Sequence, residues 1–204
     1  MKITFYGKFI KRILDILLSA VGMIILIPVY VLTVIAIKID SPGPVLFRQK
    51  RFGKNKKYFY IYKFRSMRTD APKDIPTHLM EDPNEWLTRA GKIIRRTSID
   101  EIPQLWNILK GDMSFIGPRP ALWNQEDLIA ERDKYHANDV LPGLTGWAQI
   151  NGRDELAIPV KAELDGEYVK NLSFHMDLKC FFGTISCVLT GKGLRKGKNG
   201  SAKQ

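Results

Sequence analysis

The sequence predicts an α+β protein that is mainly helical. In this prediction, an N-terminal re-entrant membrane helix and amphipathic interfacial helices surround a compact cytosolic domain with a small β-hairpin. Three observations lead to this class: an uncharged apolar run at 16–37, two strand-like segments at 45–49 and 58–64, and helical patterns through most of the remainder. With 204 residues the chain is long enough for one domain with a modest core.

The apolar run could cross a membrane, but two features favour a segment that dips in and returns. Its 22 residues would extend about 33 Å as a straight helix, against about 30 Å for a hydrocarbon core. Pro28 lies near the middle, where it removes a backbone hydrogen bond and kinks the helix. Basic residues flank both ends, whereas a spanning helix normally has its basic flank in the cytoplasm. A kinked span stays open as an alternative, and a secretory signal peptide is disfavoured by the length of the run.

The elements that follow are assigned from periodicity and from helix breakers. The two strand-like segments flank a basic loop at 51–57, which predicts a hairpin. The last predicted helix has an apolar face that suits either the core or a membrane surface. We predict a Pro-rich surface loop at 69–83, helices at 85–96, 123–135, 161–170 and 176–190, and a Gly-punctuated loop at 141–153.

Composition divides the chain and limits its partners. We assign residues 1–40 to the membrane anchor, 41–190 to the cytosolic domain and 191–204 to a basic disordered tail. The formal net charge of +11 favours an anionic partner, such as nucleic acid, anionic lipid or a phosphorylated substrate. Cys180 and Cys187 would lie about 10 Å apart along one helix, beyond disulfide reach, so we expect both to be reduced.

The segment SIDEIPQLWNILKGDMSFIGPRP, at 98–120, carries the most chemical information. Ser98 and Glu101 have the spacing of a capping box, and Gly111 marks the end of the short helix that would follow. In this interpretation Asp100 and Glu101 lie in a first helical turn, where acidic residues often only stabilise the helix. The same carboxylates could instead hold a divalent cation or attack an electrophile.

Basic residues around this segment favour phosphate chemistry. An arginine held in a rigid turn loses little entropy when it binds phosphate in a bidentate way. Each could also be a solvated charge or a lipid headgroup contact, and for Lys50, Arg51, Lys54, Lys56 and Lys57 we favour anionic membrane lipid. The remaining candidates are Arg95 and Arg96 before the carboxylates, Lys63 and Arg65 at a strand end, and Arg119 and Arg153 in Gly/Pro turns.

Other chemistries lack their motifs. The sequence has no metal-ligand Cys/His spacing, no Gly-x-Ser-x-Gly elbow, no P-loop and no dinucleotide fingerprint. His78, His136 and His175 are isolated, which is typical of surface or packing histidines. Nucleic-acid binding is disfavoured, because no recognised binding motif is present and the apolar segment would have no role in it.

Together these motifs resemble those of the bacterial sugar transferases called monotopic phosphoglycosyl transferases. The resemblance covers residues 12–189, and several long motifs occur in the right order. It implies transfer of a sugar 1-phosphate from a UDP-sugar to undecaprenyl phosphate, with release of UMP and use of Mg²⁺. It also implies a location at the cytoplasmic face of the bacterial inner membrane. Its marks are the apolar Pro-containing segment, YKFRSM at 62–67, SIDE at 98–101, QLWNILKGDMSFIGPRP at 104–120 and PGLTGWAQINGR at 142–153.

The resemblance further implies roles for individual residues. Asp100 would be the nucleophile that forms a covalent phosphosugar–aspartyl intermediate. We assign Asp100 and Glu101 as the magnesium ligands, while a role of Glu101 as a proton carrier stays open. Relatives often have Ser before the proline that breaks the membrane helix, whereas this chain has Ile27 before Pro28. Isoleucine cannot hydrogen-bond the backbone groups freed there. The residues implied to bind substrate are Lys63, Arg95, Arg119 and Arg153.

Elementary chemistry adds one hypothesis and one rival. UMP is a leaving group with a second pKa of about 6, so neither step strictly needs a proton carrier. We therefore hypothesise that Glu101 positions magnesium, since a cation and arginines lower the repulsion between a carboxylate and a diphosphate. The rival is a non-catalytic basic membrane-associated adaptor, in which the carboxylates only stabilise a helix. The identity of the sugar and the oligomeric state, including a homo-oligomer, stay open.

Overall fold

Helices dominate the part of the chain that the structure describes, and two sheets of two strands each lie within it. The computed structural model describes residues 4–72, 74–75, 80–152 and 155–190, with the backbone alone at 189 and 190. The mixed, mainly helical class is as predicted, while the tail predicted at 191–204 lies outside the described residues. The helices are α1 (Lys11–Ile25), α2 (Ile27–Asp40), α3 (Arg89–Arg96), α4 (Gln104–Lys110), α5 (Glu126–Asp133), α6 (Trp147–Ile150), α7 (Ile158–Lys170) and α8 (Phe174–Thr190), and the strands are β1 (Leu46–Phe52), β2 (Tyr58–Phe64), β3 (Ser114–Ile116) and β4 (Gly143–Thr145).

The first two helices meet at a sharp break beside Pro28. A π-helical turn at Tyr6–Ile10 continues into α1, and Leu26 separates α1 from α2. The two arms are bent by 60°. Pro28 lies in the first turn of α2, where a missing N–H is tolerated. The predicted break at Pro28 is therefore confirmed.

The bent pair has its polar side chains inside and its apolar side chains outside. Asp15, Ser19 and Thr33 are buried against the protein, whereas Ile24 is 69% exposed and Leu32 is similarly exposed. Within the described part of the chain, no single helix is long and apolar enough to cross a membrane, although the two arms pass that test together. This distribution is the reverse of that of a helix pair in water.

The bent pair is held to α4 by hydrogen bonds to main-chain carbonyls. The Arg12 guanidinium donates from Nη1 to the Ile108 carbonyl at 2.6 Å and from Nη2 to the Leu109 carbonyl at 2.8 Å. These carbonyls belong to the last turn of α4, where a cation is favourable. From α2, the Tyr30 hydroxyl donates to the Ile102 carbonyl at 2.9 Å. The two arms are thereby attached to the segment that carries the predicted carboxylates.

The predicted β-hairpin is present and longer than expected. β1 and β2 pair in antiparallel register, with Arg48 opposite Tyr62, and β1 continues to Phe52 instead of ending at residue 49. A 3₁₀ turn at Lys54–Lys56 joins the strands. Phe59 and Ile61 of β2 face the core, and this face positions the end of β2 beside the candidate site.

A second, parallel sheet was not predicted. β3 pairs with β4 over three residues each, and α6 follows directly, so the prediction of a loop at 141–153 is wrong. The pairing depends on close backbone packing. A Cβ on Gly143 would lie 2.1 Å from the Gly117 amide nitrogen. Strands this short leave no alternation in the sequence to detect.

Most predicted helices are present with shifted ends. α3 begins only at Arg89, because the Thr88 hydroxyl caps it by accepting from the Gly91 amide at 3.0 Å. α5 is shorter than the predicted 123–135, whereas α7 begins earlier than the predicted 161–170. α4 ends at Gly111 with φ 98°, as predicted.

The C-terminal helix α8 packs on the core with one face and leaves an apolar face uncovered. Cys180 is buried, and Phe182 on the other face is 62% exposed. Both cysteines are free thiols, as expected. The exposed apolar face of α8 therefore does not pack in the core, which was one of the two environments predicted for it. The exposed apolar residues of α8 are Phe174, Leu178, Phe181, Phe182, Ile185 and Val188.

Candidate active site

The two predicted carboxylates lie on a 3₁₀ turn that precedes α4. Ser98 adopts a left-handed conformation, with φ 58° and ψ 16°, and its side chain makes no capping hydrogen bond. The turn spans Ile99–Glu101, and α4 begins only after Pro103. The predicted capping box is therefore wrong, because the Glu101 side chain has other partners. Helix capping does not explain why carboxylates occur here.

Glu101 is held between two cations from distant parts of the chain. Its Oε1 atom accepts from Lys63 Nζ at 2.8 Å and from Arg119 Nη2 at 3.0 Å. Lys63 lies near the end of β2, and Arg119 lies in the turn after β3. Burial alone would raise the pKa of Glu101, but Lys63 and Arg119 together lower the pKa well below its usual range. Glu101 is therefore ionised at neutral pH.

Asp100 is buried within the same cluster of charges. Asp100 is only 8% exposed to solvent. Burial raises the pKa of Asp100, while Lys63, Arg95 and Arg119 each act in the opposite direction. The structure thus brings Asp100, Glu101, Lys63, Arg95 and Arg119 together, as the sequence motifs predicted. The remaining substrate-binding candidate, Arg153, lies outside the described residues.

A proline-braced turn positions Arg119. Gly117 donates its N–H to the Thr145 carbonyl at 2.8 Å, and Gly143 donates its N–H to the Pro118 carbonyl at 2.9 Å. The parallel sheet thereby fixes both sides of this turn, and Pro120 follows Arg119 directly. Such support reduces the entropy that Arg119 loses when it binds an anion.

Two other arginines have structural contacts that their sequence positions did not indicate. The Arg51 guanidinium donates to the Pro120 carbonyl at 2.9 Å and to the Gln49 side chain, so it braces the Arg119 turn. The proposed lipid contact of Arg51 is therefore replaced by an internal one. Arg65, which was a candidate for phosphate, donates to the carbonyls of Ser41 and Pro42. Side chains alternate between the two faces of a strand, so Gln49 and Arg51 lie on the same face of β1. This spacing was the sequence signal that could have indicated the contact between Arg51 and Gln49.

A cavity of about 630 Å³ adjoins the charged cluster. Glu101, Arg119 and Ser98 line part of it. Most of the remaining surface is apolar and comes from α1, α4 and α8, so one cavity joins the charged side chains of Glu101 and Arg119 to a large apolar surface. The apolar lining includes Leu14, Leu18, Leu26, Ile102, Leu105, Phe115, Leu144, Leu178, Phe181, Ile185 and Val188.

The donor groups present are suitable for magnesium but form no preformed cage. Within the part of the chain that the structure describes, no group of three or more His, Cys, Asp or Glu side chains could hold a metal ion. Mg²⁺ is usually bound by one or two carboxylates together with substrate phosphates and water. The adjacent carboxylates of Asp100 and Glu101 match that requirement.

His136 is exposed and pairs with Asp139 at 3.0 Å, while His78 lies outside the described residues.

Comparison with known proteins identifies the family. A family model described as bacterial sugar transferase matches residues 6–191. The chain is 40% identical to the Aeromonas hydrophila UDP-N-acetylgalactosamine-undecaprenyl-phosphate N-acetylgalactosaminephosphotransferase, over 92% of this chain and 45% of that protein. It is 42% identical to the Bacillus subtilis (strain 168) uncharacterized sugar transferase EpsL, over 96% of this chain and 95% of that protein.

A third relative is the Escherichia coli (strain K12) UDP-glucose:undecaprenyl-phosphate glucose-1-phosphate transferase, with 37% identity over 88% of this chain and 40% of that protein. The chain thus spans less than half the length of the Aeromonas and Escherichia relatives and nearly all of the Bacillus relative. The family predicted from the sequence motifs is confirmed, and the chain belongs to the bacterial sugar transferase family.

Proposed function

We propose that this chain transfers a sugar 1-phosphate from a UDP-sugar to undecaprenyl phosphate and releases UMP, as the first membrane step of glycan assembly. The observation that carries the proposal is the cavity in which Glu101 and Arg119 adjoin an extensive apolar surface. A phosphate attached to a long isoprenoid needs both. The names of the Aeromonas and Escherichia relatives support the same reaction.

In the proposed first step, the Asp100 carboxylate attacks the phosphorus that carries the sugar. An Asp100–phosphorus bond forms, the bond from that phosphorus to the oxygen bridging the two phosphates breaks, and UMP leaves with the bridging oxygen. In the second step, a phosphate oxygen of the acceptor attacks the same phosphorus and displaces Asp100. The product is a polyprenyl diphosphate sugar, and the carboxylate is restored. Neither step requires a proton carrier, because UMP and the acceptor are largely ionised at pH 7.

The surrounding cations lower the electrostatic repulsion between the Asp100 carboxylate and the diphosphate of the donor. Lys63, Arg95 and Arg119 act electrostatically on Asp100, and each can compensate negative charge on the phosphates. Magnesium, when bound, would supply further compensation of that charge. Asp100 and Glu101 are the residues that would hold it. The lowered pKa of Glu101 suits a ligand and makes it a poor proton donor.

The role of Glu101 can be tested by its magnesium dependence. If Glu101 positions the cation, Glu101→Gln raises the magnesium concentration needed for half-maximal rate and recovers most of the rate when magnesium is saturating. A large loss of rate that persists at saturating magnesium would contradict this assignment. Circular dichroism and thermal melting of the variant control for misfolding, since two partly buried cations lose their ionic partner.

The proposed location is the cytoplasmic face of the bacterial inner membrane, with the bent pair inserted as a re-entrant, monotopic anchor. Support comes from the 60° bend, the outward apolar side chains of α1 and α2, and the uncovered apolar face of α8. The exposed lysines of the hairpin turn, Lys54, Lys56 and Lys57, suit anionic lipid. A glycosylation or protease tag placed at either terminus should never report the far side of the membrane, and a far-side terminus would contradict re-entry.

The reaction itself is tested by incubating the purified chain with undecaprenyl phosphate and a panel of labelled UDP-sugars. UMP release together with label in the lipid fraction is expected for at least one sugar. The Asp100→Asn variant is the matched negative control. If no donor in the panel yields UMP while the protein is folded and bound to vesicles, the membrane adaptor becomes the better explanation.

A further inference from the structure

Gln149 carries an unpaired amide that is buried in the wall of the cavity, without a visible structural reason. It lies on α6 and lines the same cavity as Glu101 and Arg119. Both its Oε1 and its Nε2 are inaccessible to solvent and have no hydrogen-bond partner among the described residues. An unmade hydrogen bond on a buried polar group is costly, so such a group in a native fold calls for an explanation.

The backbone that carries Gln149 packs directly against the turn that carries Arg119. α6 begins after Gly146, and a Cβ on Gly146 would lie 2.1 Å from the Gly117 carbonyl oxygen. This contact leaves no room for a larger residue at that position. The two segments therefore hold Arg119 and Gln149 in a fixed relation at one cavity. A side chain positioned in this way is suited to recognition of a ligand.

We propose that Gln149 turns its amide into the cavity when the donor binds, hydrogen-bonds the sugar of the UDP-sugar and contributes to the choice of sugar. The inference rests on the proposed function, because it assigns a task within the same site. Neither the family motifs nor the ion pairs of the charged cluster give Gln149 this task.

The chemistry of a primary amide favours a sugar over the other parts of the two substrates. An amide offers an acceptor and two donors, and a sugar hydroxyl both donates and accepts, so one hydroxyl can pair with either end. Ionised phosphate only accepts and would leave the amide oxygen unpaired. The isoprenoid chain has no polar group for Gln149 to bind.

The position of Gln149 favours the sugar over the uridine. The cavity continues from Arg119 into apolar surface, which suits the approach of the lipid acceptor. In the proposed reaction the sugar phosphate stays on the enzyme to meet that acceptor, whereas UMP leaves. The part of the donor that shares the cavity with the acceptor is therefore the sugar.

The test compares Gln149→Met with the unchanged chain over UDP-glucose, UDP-galactose and their N-acetylated forms. Methionine keeps the size and the flexibility of glutamine and removes its hydrogen bonds. For the preferred donor we expect kcat/KM to fall by about tenfold to hundredfold, the effect of one lost buried hydrogen bond. For the poorer donors kcat/KM should fall less, so the ratio of kcat/KM between the preferred donor and the other donors should become smaller. Inhibition by UMP should not change.

A measurement of stability separates recognition from a structural role. Because the amide atoms are unpaired in the folded chain, Gln149→Met should melt at the same temperature or higher. Gln104→Met is the matched control, since Gln104 is a buried glutamine with an unpaired Nε2 that does not line the cavity. Discrimination among sugars should be unchanged in that variant.

The outcomes distinguish this inference from the proposed function. If the unchanged chain releases no UMP with any donor, the proposed function fails. If it does release UMP and Gln149→Met lowers kcat/KM equally for every sugar, or weakens inhibition by UMP, the assignment of Gln149 to the sugar is overturned and the reaction stands. A marked fall in the melting temperature of Gln149→Met would equally overturn it, in favour of a structural role.

Discussion

Arg119 donates from Nη2 to the Oε1 atom of Glu101 over 3.0 Å, and Lys63 donates to the same oxygen over 2.8 Å. One carboxylate thus organises two cations that are 56 positions apart in the sequence, as 119 − 63 gives. Asp100, one residue earlier, is buried beside this group. This relationship leads to predictions about charge, stability and the membrane anchor.

Removal of the Lys63 charge should impair binding of the donor. Lys63→Met deletes one partner of Glu101 and one of the cations that act on Asp100. We expect kcat/KM for the UDP-sugar to fall by roughly tenfold or more, as for loss of a charge-assisted hydrogen bond. Steady-state UMP release provides the measurement. Lys110→Met is the control, because Lys110 is an exposed lysine paired with Asp112, and its rate should stay within about twofold of the unchanged chain.

Asp100 should reduce stability at neutral pH. Burial raises the pKa of this carboxyl, so the folded state binds a proton more tightly than the unfolded state. The stability that the protonated carboxyl contributes is fully present below the unfolded pKa of about 3.9. It is lost as the pH rises through the folded pKa, because the buried carboxyl then becomes charged. Asp100→Asn should therefore melt at a higher temperature than the unchanged chain at pH 7. The difference should vanish near pH 4, and a lower melting temperature at pH 7 would contradict the argument.

Arg12 should stabilise the contact between the bent pair and α4. It donates to two carbonyls of the last turn of α4, so Arg12→Met leaves both without this partner. We expect a loss of about 2 kcal/mol in the free energy of unfolding, measured by thermal or denaturant melting in detergent. Lys92→Met, which changes an exposed cation on α3, should have little effect. Equal stability of the two variants would show that the observed hydrogen bonds do not hold the anchor.

Pro28 should control the topology of the anchor. Pro28→Ala restores an N–H and allows α1 and α2 to continue as one helix, which relaxes the 60° bend. A straightened apolar helix is long enough to span, so some chains should expose their N-terminus on the far side of the membrane. Labelling of a cysteine added at the N-terminus with an impermeant reagent measures this fraction. Pro83→Ala, in a loop, is the control, and identical labelling of all variants would contradict a role for Pro28.

The parts of the fold that were predictable from the sequence have strong local signals. Pro28 in an apolar run predicted the broken helix, two strand-like segments around a basic loop predicted the β-hairpin, and Gly111 predicted the end of α4. The start of α3 was predicted too early, because the capping Thr88 carries more weight than helix propensity in the preceding turn. Short parallel strands such as β3 depend on contacts across the chain and have no such signal.

The site was predictable where a motif contained it. Asp100 and Glu101 were found together, and Lys63, Arg95 and Arg119 were already candidates from the basic surroundings before the resemblance assigned them to the substrate. The capping box failed because spacing alone cannot reveal that Glu101 pairs with tertiary cations, or that Ser98 is left-handed. Gln149 lies within the motif at 142–153 and was still missed, because its significance depends on a cavity built from separate helices.

The central claim is that Asp100 forms a covalent phosphosugar intermediate, and a single-turnover experiment without acceptor tests it most directly. Enzyme in excess of a labelled UDP-sugar and in the absence of undecaprenyl phosphate should release UMP up to the amount of active enzyme. The sugar phosphate should be retained on the peptide that contains Asp100, and mass spectrometry would locate it there. Asp100→Asn should give neither UMP nor adduct. Release of UMP only after undecaprenyl phosphate is added, or an adduct that survives in Asp100→Asn, would contradict the account.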